Sequence, residues 1–389
     1  MYKVLCMLCL IISCNASEKK EESISDVLFE NTPIAIIKDK YKRVKSILLN
    51  KKNKVKLTPN NNNKVKKIKK LKIQDYPMLP YKSYDAISSN YDTSSSCTFG
   101  SKLYLYGGSI QTYGSLDDSF KKLWIFNFKT KSWKGIKVPY KYRRSASVSY
   151  HDQKIYIYGG ALLNPNSQES WHDNKIVNEL LIYDFVTKIW SKKEIGTKRS
   201  DHSATIYKNK IYFYGGENRS KKLLDMEIYD IHKETLITTE FTSNRSNHKA
   251  IINKGVLYII GGMIRDEDGF PNPRKSIEYI NLKDEEKESI NLPFSVWNHV
   301  VGFYNNYLIV YGGYRDDSSY NHINISYYSL KNHFWTNKRY KLKSQKLIVG
   351  GIYSHYIYLF GSVSNEKNIV MKVDLDKIFK DKTSIIKGE

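Results

Sequence analysis

The sequence predicts an all-β protein built from six repeated units. Apolar runs end in a glycine pair at five places and in Gly-Ser at a sixth. The first glycines of successive units are 52, 56, 46, 51 and 49 residues apart, and a fixed period of this size is typical of repeat architectures. The runs are Leu103–Gly108, Ile155–Gly160, Ile211–Gly216, Leu257–Gly262, Leu308–Gly313 and Ile357–Ser362.

Each apolar run has the features of a strand that is covered on both faces. The runs contain Ile, Leu, Val and Tyr without polar alternation, which favours a buried strand over a half-exposed one. A glycine pair suits a tight turn with positive φ and a close approach to the neighbouring unit. We therefore expect these glycines and aromatic residues to be structural.

A second signature follows the glycines in several units. It is Phe126-Asn127 with Trp133, Tyr183-Asp184 with Trp190, Tyr229-Asp230 without a tryptophan, and Tyr328-Ser329 with Trp335. This pattern resembles the kelch family, whose repeats each form one four-stranded blade of a β-propeller. The resemblance covers roughly Tyr81 to Lys377 and implies an all-β, six-bladed kelch β-propeller. The expected blades are Ser94–Lys137, Ser145–Glu194, Ser200–Phe241, Ser246–Leu292, Trp297–Tyr340 and Lys346–Asp376.

The ring of blades must also close. The last unit lacks the tryptophan of the signature, and Lys69–Tyr76 is a short strand candidate without a blade of its own. We expect Lys69–Tyr76 to supply the outer strand of the sixth blade, since an uncovered sheet edge is a liability. The alternative is that Ser384–Ile386 supplies it.

The N-terminus predicts export. Lys3 precedes the apolar run Val4–Ile12, which is too short to span a bilayer and is typical of a signal peptide. Ile11-Ile12-Ser13-Cys14 resembles a bacterial lipobox, and that resemblance implies cleavage before Cys14 and lipidation of its thiol. Two or three acyl chains would anchor the chain firmly. The alternative is an ordinary secretory signal cut after Ala16.

A basic segment follows the predicted anchor. Residues 38–72 contain fifteen Lys or Arg and one Asp, a large share of the net charge of +24. The segment lacks interleaved aromatic residues and a nucleic-acid-binding module, so nucleic acid is a poor partner. A tether near an anionic membrane explains the charge, as does the composition of an AT-rich genome.

The predicted domains are a signal peptide (1–13), a flexible Lys/Asn-rich linker (14–68), the propeller (69–377) and a C-terminal tail (378–389).

The candidate ligand-binding residues occupy equivalent positions before the first strands. They are Arg143, Arg199, Arg245, His202, His248 and His299. Equivalent positions lie on a ring about a propeller axis, so the arginines could converge on one mouth and bind a carboxylate, a sulfate or an acidic peptide. In peptide-binding kelch domains, arginines of this region contact acidic ligands. The alternative is that the arginines and histidines brace the turns between blades.

No metal or cofactor is predicted. The histidines have no acidic or cysteine co-ligands at familiar spacing, and Asp266–Gly269 lacks the ligands of a calcium loop. Cys97 is the single cysteine beyond the first fourteen residues. It therefore has no disulfide partner in the folded body. Galactose-oxidase-type copper chemistry needs a Tyr–Cys crosslink, and no neighbouring tyrosine motif supports one here.

Two classes of function remain. The first is a lipid-anchored module of the cell envelope, not an enzyme, that binds a protein or glycan through the loop face of the propeller. The alternative is a periplasmic or secreted carbohydrate-active enzyme of the sialic acid mutarotase type. The sequence leaves the oligomeric state open, and we expect a monomer. Fold alone does not decide between these functions.

Overall fold

The computed structural model describes residues 81–85, 94–107, 121–162, 175–218, 221–241, 244–265, 271–315, 322–341, 344–363 and 367–381. The chain divides into two units, Met1–Lys72 and Ile73–Glu389, and all described residues belong to the second. The predictions for the signal peptide, Cys14 and the linker therefore lie outside the described residues. Within the described ranges, no helix is long and apolar enough to cross a membrane.

The described part of the chain is almost entirely β-structure, as expected. Its first strands are β1 (Tyr81–Asp85), β2 (Ser94–Phe99), β3 (Lys102–Gly107), β4 (Lys122–Asn127), β5 (Ser132–Lys137), β6 (Arg143–Arg144), β7 (Ser147–His151), β8 (Lys154–Tyr158), β9 (Ala161–Leu162), β10 (Lys175–Ile176), β11 (Glu179–Asp184) and β12 (Trp190–Glu194). Next come β13 (Ser203–Tyr207), β14 (Lys210–Tyr214), β15 (Glu217–Asn218), β16 (Lys221–Lys222), β17 (Asp225–Asp230), β18 (Thr235–Glu240), β19 (Lys249–Asn253), β20 (Val256–Ile260), β21 (Met263–Arg265), β22 (Pro271–Pro273), β23 (Ser276–Asn281) and β24 (Lys287–Asn291). The last elements are β25 (Val296–Trp297), β26 (Val300–Tyr304), β27 (Tyr307–Tyr311), β28 (Tyr314–Arg315), β29 (His322–Ser329), β30 (Trp335–Lys341), β31 (Ser344–Tyr353), β32 (Tyr356–Val363), β33 (Lys367–Asp374) and the helix α1 (Leu375–Lys380).

The long strands among the described residues form six four-stranded antiparallel sheets. In strand order, sheet 1 is β2-β3-β4-β5, sheet 2 is β7-β8-β11-β12, sheet 3 is β13-β14-β17-β18, sheet 4 is β19-β20-β23-β24, sheet 5 is β26-β27-β29-β30 and sheet 6 is β31-β32-β33-β1. The first strand of each sheet contacts the first strands of the sheets on either side, and β31 contacts β2. These contacts close a ring of inner strands, which is the arrangement of a β-propeller.

The ring closes through a different segment from the one expected. β1 pairs with β33 from Tyr81↔Val373 to Asp85↔Ile369 and so forms the outer strand of sheet 6. Both segments considered for this role, Lys69–Tyr76 and Ser384–Ile386, lie outside the described residues. A strand that precedes the first sheet in the sequence does complete the last sheet. Its residues are Tyr81–Asp85, which occupy the hydrogen-bonding edge of β33.

The core lies between neighbouring sheets. The second strands are the most buried, for example Ile155, Ile211 and Leu257, each with 0% exposure. The glycine pairs have the role predicted for them: Gly159 and Gly160 have φ of +67° and +88°, and a Cβ on Gly159 would lie 2.4 Å from the carbonyl oxygen of Arg199. The approach of sheet 2 to the segment that leads into sheet 3 therefore requires glycine.

Candidate functional site

The candidate site lies at the end of the sheets where the first strands begin, which we call the loop end. Here the segment that leads into a first strand pairs with the residues after the glycine pair of the same sheet. The pairings are β6 with β9 (which also pairs with β10), Ser200 with Glu217, Ser246 with Met263, and β25 with β28. These contacts hold all six predicted ligand-binding residues in place.

The three arginines point into the protein and not into a common mouth. Their side chains are 0 to 1% exposed. Arg143, Arg199 and Arg245 each donate to the carbonyl oxygen of a glycine sixteen residues later, Gly159, Gly215 and Gly261, at 3.3, 2.8 and 2.9 Å. Each guanidinium group therefore fixes the turn at the end of the second strand of its own sheet.

Each arginine is also paired with a carboxylate on the third strand of its sheet. Arg143 pairs with Glu179 at 2.5 Å, and Arg199 pairs with Asp225 at 3.1 Å and Glu227 at 2.9 Å. Arg245 forms the equivalent ion pair with Glu278. The structure thus places the arginines where the alternative interpretation of the sequence put them, as braces.

Sheet 5 provides an internal control for this role. Val296 occupies the arginine position, since it accepts the backbone hydrogen bond of Gly262 as Arg245 accepts that of Gly216. The two carboxylate positions of the third strand are Asn324 and Ser326 in this sheet. The arginine and its carboxylates are therefore replaced together, as expected for partners in a structural ion pair.

The three histidines are buried between neighbouring sheets. His202 Nε2 lies 2.8 Å from the hydroxyl of Ser147, and His248 Nε2 lies 2.7 Å from the hydroxyl of Ser203. Each serine is the first residue of the inner strand of the preceding sheet, so each contact links two sheets. Burial, followed by the nearby arginine charge, lowers the pKa of His202 and His248 well below 6.5.

The third histidine breaks this series. His299 is fully buried, and neither of its ring nitrogens has a hydrogen-bond partner among the described residues. The first residue of the preceding inner strand is Lys249 and not serine. Burial lowers the pKa of His299 to about 3, with smaller effects from the charges of Lys249 and Arg315.

A belt of backbone hydrogen bonds joins four sheets at the loop end. Ser145, Asp201, Asn247 and Asn298 precede the positions of the histidine series and have φ between 50° and 56°. The amide of each of the last three donates to the carbonyl of the previous one, at 3.1, 2.9 and 3.0 Å. Left-handed backbone favours Asn and Asp among non-glycine residues, which explains the residue types at positions 201, 247 and 298. We call these four residues the rim.

One rim residue is an acid in unusual surroundings. Burial raises the pKa of Asp201, while the neighbouring serine Ser200 and the charge of Arg144 act against the rise. Burial also lowers the pKa of Lys249, and Asp201 opposes that shift. A carboxyl and an amine thus lie near each other with their pKa values shifted toward each other.

An aromatic pair flanks the rim in sheet 5. Trp297 directly precedes Asn298, and its ring stacks on that of Tyr314 with centroids 5.7 Å apart and planes 22° from parallel. Both side chains are partly exposed. Neither the aromatic pair nor the rim was predicted from the sequence, although Asp or Asn directly before each of the three histidines was a signal for the left-handed turn.

Two further predicted features can be placed. Cys97 lies on β2, and burial raises the pKa of its thiol to about 12, so it is not an activated nucleophile. Asp266–Gly269 lies outside the described residues.

A cluster that was not predicted lies beside α1. His355, Asp374 and Asp376 have side-chain ligand atoms within 4.8 Å of one another. Both acids already have structural roles, since Asp374 caps α1 and Asp376 accepts a hydrogen bond from Tyr304 at 2.9 Å.

Comparison with known proteins identifies related repeats. A family model described as the KLHDC2/KLHL20/DRC7 Kelch-repeats domain matches residues 95–272. An N-(sulfonatooxy)prop-2-enimidothioate sulfolyase of Thlaspi arvense is 27% identical over 124 residues, which are 31% of this chain and 34% of that protein. The chain therefore spans about a third of the length of this relative.

The solved structure of YjhT has a similar fold. It matches with a TM-score of 0.57 and 14% identity, over 73% of this chain and 94% of YjhT. Identity at this level supports the shared fold alone.

Proposed function

Because a kelch-repeat family model matches residues 95–272 and kelch repeats generally mediate protein binding, we propose that the chain is a non-enzymatic binding module held at the cell envelope by a lipid on Cys14. In this proposal the propeller binds a protein or a glycan through its loop end. The basic linker spans the distance between the lipid and the propeller.

The observation that carries this proposal is the rim beside the aromatic pair. The rim presents carboxyl and amide groups on a hydrogen-bonded backbone, and Trp297 and Tyr314 add a partly exposed aromatic surface. A rigid polar rim next to aromatic rings suits a ligand that has both hydrogen-bonding groups and an apolar face. The buried arginines support the rim from beneath and do not contact the ligand.

The test is binding of the full-length protein, in detergent, to an array of glycans that includes acidic sugars and to candidate envelope proteins. We expect Trp297→Ala to weaken the binding of any ligand at least tenfold. Phe334→Ala is the matched control, because Phe334 is 50% exposed and lies at the opposite end of sheet 5. A ligand that binds both variants equally well would show that the loop end is not the binding surface. The thermal midpoint of each variant serves as a check on folding.

The proximity of Asp201 and Lys249 favours a second candidate function, acid–base catalysis of the sialic acid mutarotase type. Raised acid and lowered amine pKa values suit proton transfer near neutral pH. Proton NMR of freshly dissolved sialic acid measures the rate at which its anomers interconvert. An enzyme would accelerate this rate, and Asp201→Asn would remove the acceleration. If the anomers interconvert as fast in buffer alone as with the protein, the protein is not a mutarotase and the proposal of a binding module is retained.

A further inference from the structure

The interface between sheets 4 and 5 differs in charge from the interfaces before it. Three positions that hold polar side chains around the interface between sheets 3 and 4 hold different residues one repeat later. Ser326 stands where sheet 3 has Glu227, Val296 stands where sheet 4 has Arg245, and Ile260 stands where sheet 3 has Tyr214. At the position that is Ser203 in sheet 3, sheet 4 has Lys249. A cation thus enters an interface in which the third strand of sheet 5 has lost its carboxylates.

The side chain of Lys249 faces sheet 5. Alternate residues of a strand share a face, and Ile251, two residues along β19, packs in the apolar cluster between sheets 4 and 5. In the two preceding interfaces the residue at this position contacts the histidine of the next sheet. Lys249 is therefore directed toward His299, in agreement with the effect of its charge on that imidazole.

Both groups at this position lack the partners that their counterparts have. A neutral imidazole offers one N–H donor and one acceptor, and neither nitrogen of His299 is used among the described residues. Asp201 is the described carboxylate that acts on Lys249, and hydrogen bonding from Ser200 already favours its charged form. A partly buried ammonium group without a paired anion is unfavourable, so an external anion would stabilise this arrangement.

We propose that Lys249 and His299 form an oxyanion-binding site at the loop end, between sheets 4 and 5, that takes a carboxylate or phosphate group of a ligand. The ammonium group supplies the charge and the imidazole N–H supplies a directed hydrogen bond. Asn298, which precedes His299 on the rim, lies where the rest of such a ligand would leave the site. The inference rests on the proposed function, since it names the group by which a ligand of the loop end is held.

The sequence itself offers a precise variant for the test. Lys249→Ser restores the residue type that occupies this position in sheets 2 and 3, where its hydroxyl contacts the histidine of the next sheet. We expect this variant to fold and to have a higher thermal midpoint than the wild type in anion-poor buffer, because the introduced serine hydroxyl would give His299 a partner. Lys254→Ser is the matched control, since Lys254 is an exposed lysine at the opposite end of the β19–β20 hairpin.

The measurement is isothermal titration of the full-length protein in detergent with inorganic phosphate and, separately, with acetate, at constant ionic strength. We expect one site in the wild type and in Lys254→Ser, and at least tenfold weaker binding in Lys249→Ser. Preference for acetate would indicate a carboxylate ligand, and preference for phosphate a phosphorylated one. Absence of binding to the wild type, or equal binding to Lys249→Ser, would overturn the proposal.

The two proposals can fail separately. If Lys249→Ser gains stability but no anion binds, then water or no molecule occupies the site and the oxyanion inference is wrong. Loss of ligand binding in Trp297→Ala would still support the loop end as the binding surface in that case. If phosphate or acetate binds but Trp297→Ala keeps its glycan or protein ligand, the oxyanion site stands and the proposed binding surface is wrong.

Discussion

At the scale of single residues, the clearest result is that Arg199 is a structural residue. It is fully buried and pairs with Asp225 and Glu227, and Glu227 is only 1% exposed. Glu227 also accepts a hydrogen bond from the amide of Thr197 at 2.7 Å. Removing one member of such a group leaves a buried charge without compensation, which costs far more than the intact pair contributes.

We expect Arg199→Val to lower the free energy of unfolding by about 3–5 kcal/mol. The reason is that both carboxylates would remain in a site that no longer holds a cation. Urea denaturation followed by tryptophan fluorescence measures the loss. The triple variant Arg199→Val, Asp225→Asn, Glu227→Ser reproduces the residues of sheet 5 and should be more stable than the single variant. A loss below about 1 kcal/mol for Arg199→Val, the value of an exposed pair, would contradict the bracing role.

The buried histidines predict a dependence of stability on pH. The pKa values of His202, His248 and His299 are all below 6.5 in the folded protein, chiefly because burial penalises the charged ring. Below pH 6.5 the unfolded chain therefore binds protons that the folded protein does not. Stability is fully present above pH 6.5 and falls as the pH decreases, by about 1.4 kcal/mol per pH unit for each histidine.

Unfolding free energies measured between pH 7 and pH 5 check this slope. His299→Leu should reduce the slope by the share of one histidine, whereas His232→Leu, at an exposed position, should leave it as in the wild type. The raised pKa of Asp201 makes the unfolding free energy fall as the pH rises above 3.8, which is opposite in sign to the effect of the histidines. This contribution is the same in the wild type and in both variants, so it does not affect the comparison. Equal slopes in all three would mean that His299 is protonated in the folded state.

At the scale of secondary-structure elements, the unexpected one is α1. The helix crosses the boundary predicted at residue 377, where the sequence suggested the end of the propeller and a polar tail. Leu375 and Ile378 are fully buried in the cluster between sheets 5 and 6, and Phe379 packs on Tyr304, Tyr307 and Tyr327. Lys338 donates to the carbonyl oxygens of Ile378 and Asp381. The helix thus covers the end of this interface opposite the loop end.

Shortening one side chain of α1 tests its contribution. We expect Ile378→Ala to destabilise the protein by about 2–5 kcal/mol, because the removed methyl groups leave a cavity in a fully buried cluster. Ile237→Ala makes the same chemical change on β18, where the side chain is 56% exposed, and should cost less than about 1 kcal/mol. Urea midpoints of the two variants provide the comparison. Similar losses would show that α1 is not part of the folded core.

The elements differ in how well the sequence predicted them, for a physical reason. Strands that end in glycine pairs were located closely, because a positive φ and close packing at Gly159 require glycine and repeat with the period of the fold. β1 has no such marker: Tyr81–Asp85 contains no glycine, and the strand pairs with the free edge of β33. The helix was missed because its six residues are too few to show a clear helical period, and its position is set by the capping carboxylate of Asp374.

At the scale of the whole molecule, the residues of the candidate site could be located from the sequence but their roles could not. The repeat placed Arg143, Arg199 and Arg245 at equivalent positions correctly. Their direction depends on carboxylates 26 to 36 residues later in the chain, and no local pattern connects the two. Comparison between repeats would have revealed the connection, because valine (Val296) replaces the arginine in the same unit in which Asn324 and Ser326 replace the acidic residues.

The attachment of the molecule to a membrane is the prediction with the widest consequences. If Cys14 is the lipidated residue, the mature chain begins at Cys14 and its intact mass exceeds that of the polypeptide by two or three acyl chains. Such anchoring withstands washing with salt, since each buried methylene group contributes about 0.8 kcal/mol. The control is Cys14→Ala, which should lose the added mass and leave the membrane fraction. An unmodified chain that begins at Ser17 would contradict lipidation and support cleavage after Ala16. The propeller would then be a soluble secreted protein. Acidic sugars would be the first ligands to test, because diffusible ligands would reach the loop end away from any membrane.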